Sequence, residues 1–519
     1  MIDFKPVTLS DRAHIEAYVQ AANCSNCDMA FANMFCWQFV FQSAWAEVDG
    51  LLLIRFRIGG GGEIGYMQPI GDKDFTRIIP ALEENALSHG QRLRLIGLSD
   101  EGCTLLQTTH PGEFAFDSNR NQEDYIYLAE DLRTLSGRKY QPKRNHINRF
   151  TATYSFRYEP LTREHFAECL QLERQWEKAH NDRPAEHSIE QRVMQLAFAH
   201  FEELALFGGC IYVADQLVAF TYGSAINADT FICHVEKADT DYDGAFTLIN
   251  KLLAEHLPAS ILHINREEDM GIAGLRQSKL SYHPTLLLHK FMAIRLTPEE
   301  AACKKLWQSC FEDEEEFIDR FLIHFYKAER SLTATVNGAI TATLHILPFE
   351  SACGSIGYIY GVATAPAFRG GGLASNLMRR ALTTQYSRGD ILSILIPGEP
   401  WLKAFYARFG YADTSLPVVF SSASSFDFGT GDAQQDLAMV RIIQVSAYLE
   451  QQAAEQPNLT LDFYLSDTDL IANSGHYRVA KGQVLRDNTP CNTTFTPAEL
   501  VLHTFSAQHL NCRLVESID

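Results

Sequence analysis

The stretch that decides the fold runs from residue 356 to residue 377 and has the sequence IGYIYGVATAPAFRGGGLASNL. Residues 356–364 form an apolar run that is typical of a buried strand. Pro366 ends this strand, a basic glycine loop follows, and an amphipathic helix begins at Leu373. A strand that leads through glycines into a helix N-terminus presents several backbone N–H groups to one point, assisted by the positive end of the helix dipole. The segment therefore predicts a pyrophosphate-binding loop.

Two common nucleotide-binding patterns fit this loop poorly. Its spacing does not match G-x-x-x-x-G-K-[ST], which argues against a Walker-type nucleoside triphosphate site. The run Gly370-x-Gly372-x-x-Ser375 departs from the dinucleotide fingerprint. Asp390 also lies before the next predicted strand, whereas a ribose-binding acid belongs at the far end of that strand. Two possibilities remain: the loop binds a different pyrophosphate-containing ligand, or it is a structural turn that binds no ligand.

The stretch resembles the acetyl-CoA loop of the GNAT N-acetyltransferases, in which R-x-x-G-x-A/G follows a strand that ends in V-A-T/V. Six positions match in the right order, three at the end of the strand and three in the loop and helix start. The resemblance implies that acetyl-CoA is bound as a co-substrate by one continuous segment. Its predicted contact residues are Val362, Ala363, Thr364, Arg369, Gly370, Gly371, Gly372, Leu373 and Ala374.

The flanking sequence agrees with the same family. Residues 332–347 alternate around an Asn-Gly turn, which predicts a β-hairpin before the signature strand. A further strand is predicted at 391–396 and a helix at 401–409, which contains Tyr406. The resemblance implies that the two strands diverge to admit the pantetheine arm, and that Tyr406 lies near the thioester sulfur as a general acid. The alternative is a core aromatic residue whose hydroxyl bonds to a neighbour.

The general base is left open by the sequence. A Glu on or beside the signature strand often serves in this family, and residues 356–364 contain none. The candidates are Glu350 after the hairpin, His345 within it, and the terminal carboxylate at Asp519. A relay through water or the backbone is a further possibility, and each side chain also has an ordinary structural explanation.

Composition indicates a globular protein of several domains. A chain of 519 residues predicts about three to four domains. The chain is 46% hydrophobic and 21% charged, with no apolar run long enough to span a bilayer and no signal-peptide pattern at its start. Its 12 cysteines are scattered, which predicts no metal and a reducing cytoplasm. The net charge of −20 argues against nucleic-acid binding over the whole surface, although a local basic patch remains compatible with it.

Three regions separate along the chain, at 1–295, 297–420 and 433–519, with a Ser/Gly/Asp-rich linker at 421–435. The first region contains a weak internal repeat of the strand–strand–strand–helix order. One copy is predicted from strands at 210–213, 217–222 and 230–235 and a helix at 245–256, and an earlier copy within 51–107. The link at 236–244 is acidic, so we expect the repeated fold without a CoA site there.

A basic segment stands out within the first region. It carries five cations in about twelve residues, Arg138, Lys139, Lys143, Arg144 and Arg149. With the FANMFCW run at 31–37 and HVEKAD at 234–239, it resembles the family of the soluble catalytic domain of bacterial phosphatidylglycerol lysyltransferases. That family is similar to the Fem aminoacyltransferases, so the resemblance implies tandem GNAT-like units and an aminoacyl-tRNA donor. Lys143 and Arg144 are then expected to contact an RNA phosphate or an acidic acceptor. The alternative is a solvated basic helix face.

The last region weakly resembles the sterol-carrier-like α+β module of the enhanced-intracellular-survival acetyltransferases. The resemblance rests on strand order and on the Met439-Val440-Arg441 entry, and it implies that the terminal carboxylate of Asp519 can reach the active site.

The predicted fold class is therefore mixed α/β (α+β). It consists of repeated GNAT-like units with mostly antiparallel sheets and flanking helices, plus a small C-terminal α+β domain. The predicted function is that of a bacterial, cytoplasmic acyltransferase without a metal. Its middle domain passes acetyl from acetyl-CoA to an amine acceptor, and its first block resembles an aminoacyl-tRNA-dependent aminoacyltransferase. The alternative is a non-catalytic CoA- or tRNA-binding regulatory protein, and the oligomeric state is left open.

Overall fold

The computed structural model of the chain describes residues 2–180, 189–421, 428, 437–505 and 510–515. The chain forms two compact units, Met1–Arg295 and Leu296–Asp519. Both are built from mixed, mostly antiparallel sheets flanked by helices, which confirms the predicted fold class. Among the described residues, no helix combines the length and the apolar character that crossing a membrane requires.

The first unit contains two large sheets. The first sheet has the strand order β1-β2-β3-β4-β6-β15-β7, with β5 paired to β3. Its strands are β1 (Lys5–Pro6), β2 (Ala44–Val48), β3 (Leu51–Arg57), β4 (Ile64–Met67), β5 (Ile70–Gly71), β6 (Arg94–Leu98), β7 (Phe114–Ser118) and β15 (Phe291–Arg295). Because β15 comes from the end of the unit, it ties the first copy of the fold to the second.

The second sheet of this unit has the order β14-β8-β13-β12-β11-β10-β9. Its strands are β8 (Asp124–Leu128), β9 (Phe156–Pro160), β10 (Phe207–Val213), β11 (Gln216–Ala225), β12 (Thr230–Ala238), β13 (His263–Asn265) and β14 (Leu286–Leu288). The helices of the unit are α1 (Arg12–Ala21), α2 (Phe31–Cys36), α3 (Gln38–Phe41), α4 (Ile79–Ser88), α5 (Asp100–Thr109), α6 (Ala129–Thr134), α7 (Gln141–Thr153), α8 (Phe166–His180), α9 (Ile189–Ala199), α10 (Ala245–His256) and α11 (Ala273–Leu280).

The second unit has one large sheet of order β16-β17-β18-β19-β21-β20-β26, in which β26 also pairs with β17. Its strands are β16 (Ser331–Val336), β17 (Ala339–Ser351), β18 (Gly354–Thr364), β19 (Leu392–Leu395), β20 (Ala412–Ser421), β21 (Leu437–Ile442) and β26 (Leu510–Leu514). A small sheet of order β24-β23-β22-β25 contains β22 (Leu461–Leu465), β23 (Gly475–Ala480), β24 (Gln483–Asp487) and β25 (Thr494–Phe495). The helices are α12 (Pro298–Cys310), α13 (Glu315–His324), α14 (Leu373–Arg388), α15 (Leu402–Ala407), α16 (Val445–Glu455) and α17 (Pro497–Thr504).

The same local unit recurs in all three large sheets. In each, a strand is followed by a helix and then by a parallel strand, and the parallel pairing is short. Strands β4 and β6 pair at two positions, and β12 with β13 and β18 with β19 at three positions each. This arrangement is the strand–helix–strand centre of a GNAT-like fold, so the predicted repetition is present.

The predicted boundary between 297–420 and 433–519 does not separate two bodies. Strand β21 lies between β19 and β20 in the large sheet, and β26 pairs with both β20 and β17. Met439, Val440 and Ile442 are each at most 1% exposed. A strand that is buried on both faces needs neighbours on both edges, and the large sheet supplies them. Most of the predicted linker at 421–435 lies outside the described residues.

Candidate functional site

The glycine loop of the second unit is exposed. It connects the end of β18 to α14 through a short 3-10 turn, Pro366–Phe368. Gly370 and Gly372 each have φ of +80°, and Gly372 is the N-cap of α14. A Cβ atom added at either glycine would meet no atom of the described residues within 4 Å. A left-handed backbone and open space together mark a place where a ligand can approach the main chain closely.

The electrostatics of this loop favour an anion. The first turn of α14 carries no acidic side chain, so its backbone N–H groups face the loop without a competing negative charge. Arg369 is exposed, and its Nε atom donates to the carbonyl oxygen of Thr364 at 3.1 Å. This bond holds a guanidinium beside the helix N-terminus. The residues present therefore fit a pyrophosphate.

The strand that leads to the loop diverges from its neighbour. Strand β18 pairs with β19 only from Ile356 to Tyr358. Further along, the pairing of β18 with β17 contains a β-bulge around Gly361, whose φ is +59°. A Cβ atom at Gly361 would lie 3.1 Å from the side chains of both His345 and Trp307. Beyond Tyr358, the part of β18 that leads to Thr364 and the glycine loop is therefore not paired with β19.

Tyr406 lies in α15, which is shorter than the predicted helix at 401–409. Its side chain is 7% exposed and packs against the rings of Phe405 and Tyr411, with centroid distances of 5.1 and 6.5 Å. Burial raises the pKa of the Tyr406 hydroxyl to about 12. At neutral pH the group is therefore protonated and has a hydrogen to donate.

The three candidate bases differ in what the structure says about them. Glu350 is exposed and pairs with Ser355 at the start of β18, so nine residues, or about 30 Å of strand, separate it from Thr364. His345 is buried, its Nδ1 atom lies 2.9 Å from the Ser331 hydroxyl, and burial lowers its pKa to about 3, which makes it a poor base. Asp519 lies outside the described residues. These positions disfavour Glu350 and His345.

The equivalent helix start in the first unit is closed. Gly244 is the N-cap of α10 and has φ of +98°. A Cβ atom there would lie 2.5 Å from the carbonyl oxygen of His146 in α7. Asp243 lies 3.0 Å from Nδ1 of His146 and forms an ion pair with Arg149. The basic helix therefore covers the position that a pyrophosphate would need, in addition to the acidic link predicted to repel it.

The cations of the basic segment have different surroundings. Lys143 lies 3.7 Å above the ring of Tyr282, and burial together with the nearby Arg266 lowers its pKa to about 8. Arg144 donates to the carbonyl oxygens of Leu135 and Gly137, which follow the end of α6. Lys143 is thus half-buried against Tyr282, near the ion pair of Arg266 and Glu236, whereas Arg144 also has a structural role in closing α6.

A chain of hydrogen bonds in the first unit was not predicted from the sequence. The Nε2 atom of His234 lies 2.8 Å from the Ser224 hydroxyl, and its Nδ1 atom lies 3.0 Å from Oε1 of Glu267. The amide of Asn33 donates to the same carboxylate oxygen at 2.9 Å. These residues come from α2, β11, β12 and the turn after β13. His234 belongs to the HVEKAD run and Asn33 to the FANMFCW run, and these two runs were the signal in the sequence.

A buried lysine, Lys290, lies near these hydrogen-bonded residues. The side chain of Lys290 is 6% exposed and pairs with Asp124 at 2.8 Å and Asp28 at 3.0 Å. Its ammonium group is also 3.7 Å from Sγ of Cys27 and 3.9 Å from Glu268. Burial raises the pKa of Glu268 to about 7. The cluster brings together residues that are more than 250 positions apart in the chain.

Two groups of side chains within the described residues are close enough to share a metal ion. One is Cys27, Asp124 and Glu268, and the other is Asp462, His476 and Cys491. In the first group Lys290 already contacts all three side chains, so a positive charge is in place. The predicted absence of a metal stays a prediction.

The fold and these sites define a protein assembled from acyltransferase units of the GNAT type. The chain belongs to the family described as phosphatidylglycerol lysyltransferase, C-terminal, whose model matches residues 20–294, more than half of the chain. A model of the acetyltransferase (GNAT) domain matches residues 295–413. Both resemblances predicted from the sequence are confirmed, and the protein is an acyltransferase in this general sense.

The individual relatives described next each cover about half of the chain. A solved structure of a conserved protein of unknown function from Bacteroides thetaiotaomicron is 41% identical, covers 57% of this chain and 100% of its own, and has a TM-score of 0.55. The structure of L-PGS from Bacillus licheniformis is 16% identical over 55% of this chain and 92% of its own, with a TM-score of 0.41. An uncharacterized protein of Mycoplasmoides gallisepticum is 26% identical over 43% of this chain and 72% of its own.

Proposed function

We propose that the second unit binds acetyl-CoA and transfers its acetyl group to an amine acceptor. The observation that carries this proposal is the open glycine loop at the end of a diverging strand. A pyrophosphate at the start of α14 and a thioester between β18 and β19 use one continuous path. Val362, Ala363 and Thr364 then line the strand part of that path, and residues 369–374 the phosphate part.

The chemistry is direct attack of an uncharged amine on the thioester carbonyl. The amine loses a proton, the carbon–sulfur bond breaks, and CoA leaves as a thiolate or thiol. Because an alkyl thiol has a pKa of about 8.5, full proton transfer from Tyr406 is uphill by roughly three to four pKa units. We therefore assign Tyr406 a hydrogen bond to the leaving sulfur, which stabilises its developing charge. Proton removal from the amine is left to water or the backbone.

The test is turnover of acetyl-CoA in the presence of a panel of amines, followed through release of free thiol. Amine-dependent release supports the enzyme. CoA binding without turnover of any amine would support the alternative, a regulatory protein that uses the GNAT fold as a scaffold.

Tyr406→Phe is expected to lower kcat by about 10- to 100-fold, because it removes a donor that acts on the leaving group. KM for acetyl-CoA should change little, since the ring remains in place. Steady-state kinetics measure both. Tyr411→Phe is the control, because Tyr411 is also buried but its hydroxyl bonds to Ser393 at 2.6 Å. Equal losses of kcat in the two variants would remove Tyr406 from the reaction.

A second function is proposed for the first unit, namely transfer of an aminoacyl group from aminoacyl-tRNA. The observation that favours it is Lys143, a half-buried cation that packs on Tyr282 beside Arg266 and Glu236. A cation held there, with a lowered pKa, suits a single phosphate or an acidic acceptor better than general surface charge does.

The logarithm of the association constant for tRNA is expected to fall linearly with the logarithm of salt concentration. Lys143→Ala should reduce the slope by about one unit, and Lys143→Ala with Arg144→Ala by about one to two units. Fluorescence anisotropy with charged and uncharged tRNA measures the slope. Lys139→Ala is the control, because Asp131 already pairs with Lys139 at 3.1 Å. Salt-independent binding, or none, would refute the tRNA proposal.

A further inference from the structure

We infer that the first unit contains a nucleophilic serine, Ser224, which accepts an acyl group from an ester donor. His234 is its base and Glu267 orients the base. This inference rests on the aminoacyltransferase role proposed above, because the aminoacyl group of a charged tRNA is carried as an ester.

The geometry is that of a nucleophile, a base and an orienting carboxylate in hydrogen-bond sequence. The two contacts of the His234 ring are 2.8 Å, to the Ser224 hydroxyl, and 3.0 Å, to Glu267. Since a carboxylate only accepts, Nδ1 carries the hydrogen and Nε2 is the acceptor for the serine proton. This assignment of the tautomer gives Ser224 the partner that activates it.

The position of His234 in the sheet supports a catalytic role. In the pairing of β11 with β12, Tyr222 lies opposite Val235 and Gly223 opposite Cys233. His234 is therefore the extra residue of a β-bulge. Bulges redirect a side chain and occur often beside active sites.

The second unit has a bulge at a similar place. The last parallel pair of β12 with β13 is at Ile232, and His234 follows two residues later. In β18 the last such pair is at Tyr358, and Gly361 follows three residues later. His234 thus lies just beyond the parallel pairing, at the place that corresponds to the proposed thioester path of the second unit.

The backbone of Glu267 has an uncommon conformation. Its φ is +56°, in the left-handed region that residues other than glycine seldom adopt. The side chain of Asn265 accepts from the Glu267 N–H at 2.7 Å, and Asn33 holds the carboxylate. Neighbouring polar groups therefore maintain this conformation, which is typical of residues held for a functional purpose.

A similar triplet elsewhere in the unit has an ordinary explanation. Thr162, His165 and Glu159 are also joined by hydrogen bonds, of 3.0 and 2.9 Å. Thr162 and His165 form the capping box of a helical turn, so the local backbone accounts for that contact. Ser224, His234 and Glu267 cap no helix. The His165 triplet therefore serves as a matched control.

In the proposed step the acyl group moves from the ester to Ser224, and His234 carries the proton. The Ser224 oxygen attacks the ester carbonyl, and its proton moves to Nε2 of His234. The bond from the carbonyl carbon to the leaving oxygen breaks, and His234 returns the proton to that oxygen. The products are an acylated Ser224 and a free alcohol. An amine then attacks the acyl carbonyl and its proton moves to His234. The bond from the carbonyl carbon to the Ser224 oxygen breaks, and His234 returns the proton to that oxygen. Ser224 is only 7% exposed, so its acyl ester would be shielded from bulk water.

The test uses the full-length protein and p-nitrophenyl acetate, an activated ester that requires no knowledge of the natural donor. The readouts are release of p-nitrophenolate and peptide mass spectrometry of the acetylated site. We expect acetylation of Ser224 in the wild type and none at that position in Ser224→Ala. Ser224→Cys, which keeps a nucleophile, should be acetylated.

The base and the orienting residue have their own expected effects. His234→Asn should slow acetylation of Ser224 by about 100-fold or more. Glu267→Gln should slow it by about 10-fold or more, because the ring is then free to adopt the wrong tautomer. His165→Asn should leave the rate within about twofold of the wild type.

Two results would overturn the inference: no acetyl group on Ser224 of the wild type at millimolar ester, or a rate in His234→Asn equal to that of the wild type. Salt-dependent tRNA binding is measured on the same variants. If the wild type binds tRNA but its Ser224 is unreactive, only the role of Ser224 as a nucleophile is refuted. If the wild type does not bind tRNA, the proposed function of the first unit is refuted.

Discussion

Gly372→Glu is expected to weaken binding of acetyl-CoA by at least about 100-fold, as measured by calorimetry on the full-length protein. Two unit charges about 4 Å apart near a protein surface repel by roughly 4 kcal/mol, and each 1.4 kcal/mol is a factor of ten in affinity. The new side chain also fills the open space in front of the first turn of α14. The fold should survive, since a negative charge at a helix N-terminus is favourable.

Gly389 offers a matched control on the same helix. It caps the other end of α14, has φ of +87°, and a Cβ atom added there would meet none of the described atoms within 4 Å. Gly389→Glu therefore carries the same backbone strain and places its charge at the unfavourable end of the dipole. It should nevertheless bind acetyl-CoA normally. Equal affinity of wild type and Gly372→Glu would exclude the loop as the binding site.

The glycine loop was predictable because its signal is local. A buried strand, a proline, three glycines and a helix start lie within about twenty residues, and each has a fixed structural consequence. The parallel strand pair and the position of Tyr406 follow from the same short order of elements. The general base was not predictable, because bases in such a site come from any nearby segment.

The hydrogen-bonded residues around His234, in contrast to the glycine loop, could not be predicted from local sequence. Asn33, Ser224, His234 and Glu267 meet only after two copies of the fold have formed and packed. Asn33 and His234 lie in runs that indicate the family, but no spacing in the sequence links them to Ser224 or Glu267. The bulge that redirects His234 depends on a one-residue shift between strands, which hydrophobic alternation does not reveal.

The error in the C-terminal boundary has a similar cause. A Ser/Gly/Asp-rich stretch indicates a linker, and linkers often separate domains. Here the chain returns after the stretch to supply β21 and, much later, β26 to the large sheet. Strand pairing between residues so far apart in sequence leaves no local trace.

Asp467→Ala is expected to destabilise the second unit by about 3–5 kcal/mol, because it removes the main counter-ion of a buried arginine and leaves only the longer contact with Asp469, at 3.9 Å. Both Asp467 oxygens accept from Nη2 of Arg441, at 2.8 and 2.9 Å, and both side chains are 1% exposed. Arg441 lies in β21 and also donates to the carbonyl of Phe409, just after the helix of Tyr406. The pair therefore joins the segment before β23 to the acetyl-CoA domain.

Urea unfolding of the full-length protein, with acetyl-CoA binding followed in parallel, measures this effect. The unfolding transition of the second unit and the loss of acetyl-CoA binding should move together to lower urea. Asp462→Ala should shift neither by more than about 1 kcal/mol, because Asp462 is 64% exposed. Replacing both Arg441 and Asp467 by leucine should recover much of the loss, since no buried charge then remains unpaired. If Asp467→Ala unfolds the C-terminal segment while acetyl-CoA binding persists, that segment is an independent domain, and β21 is dispensable to the acetyl-CoA site.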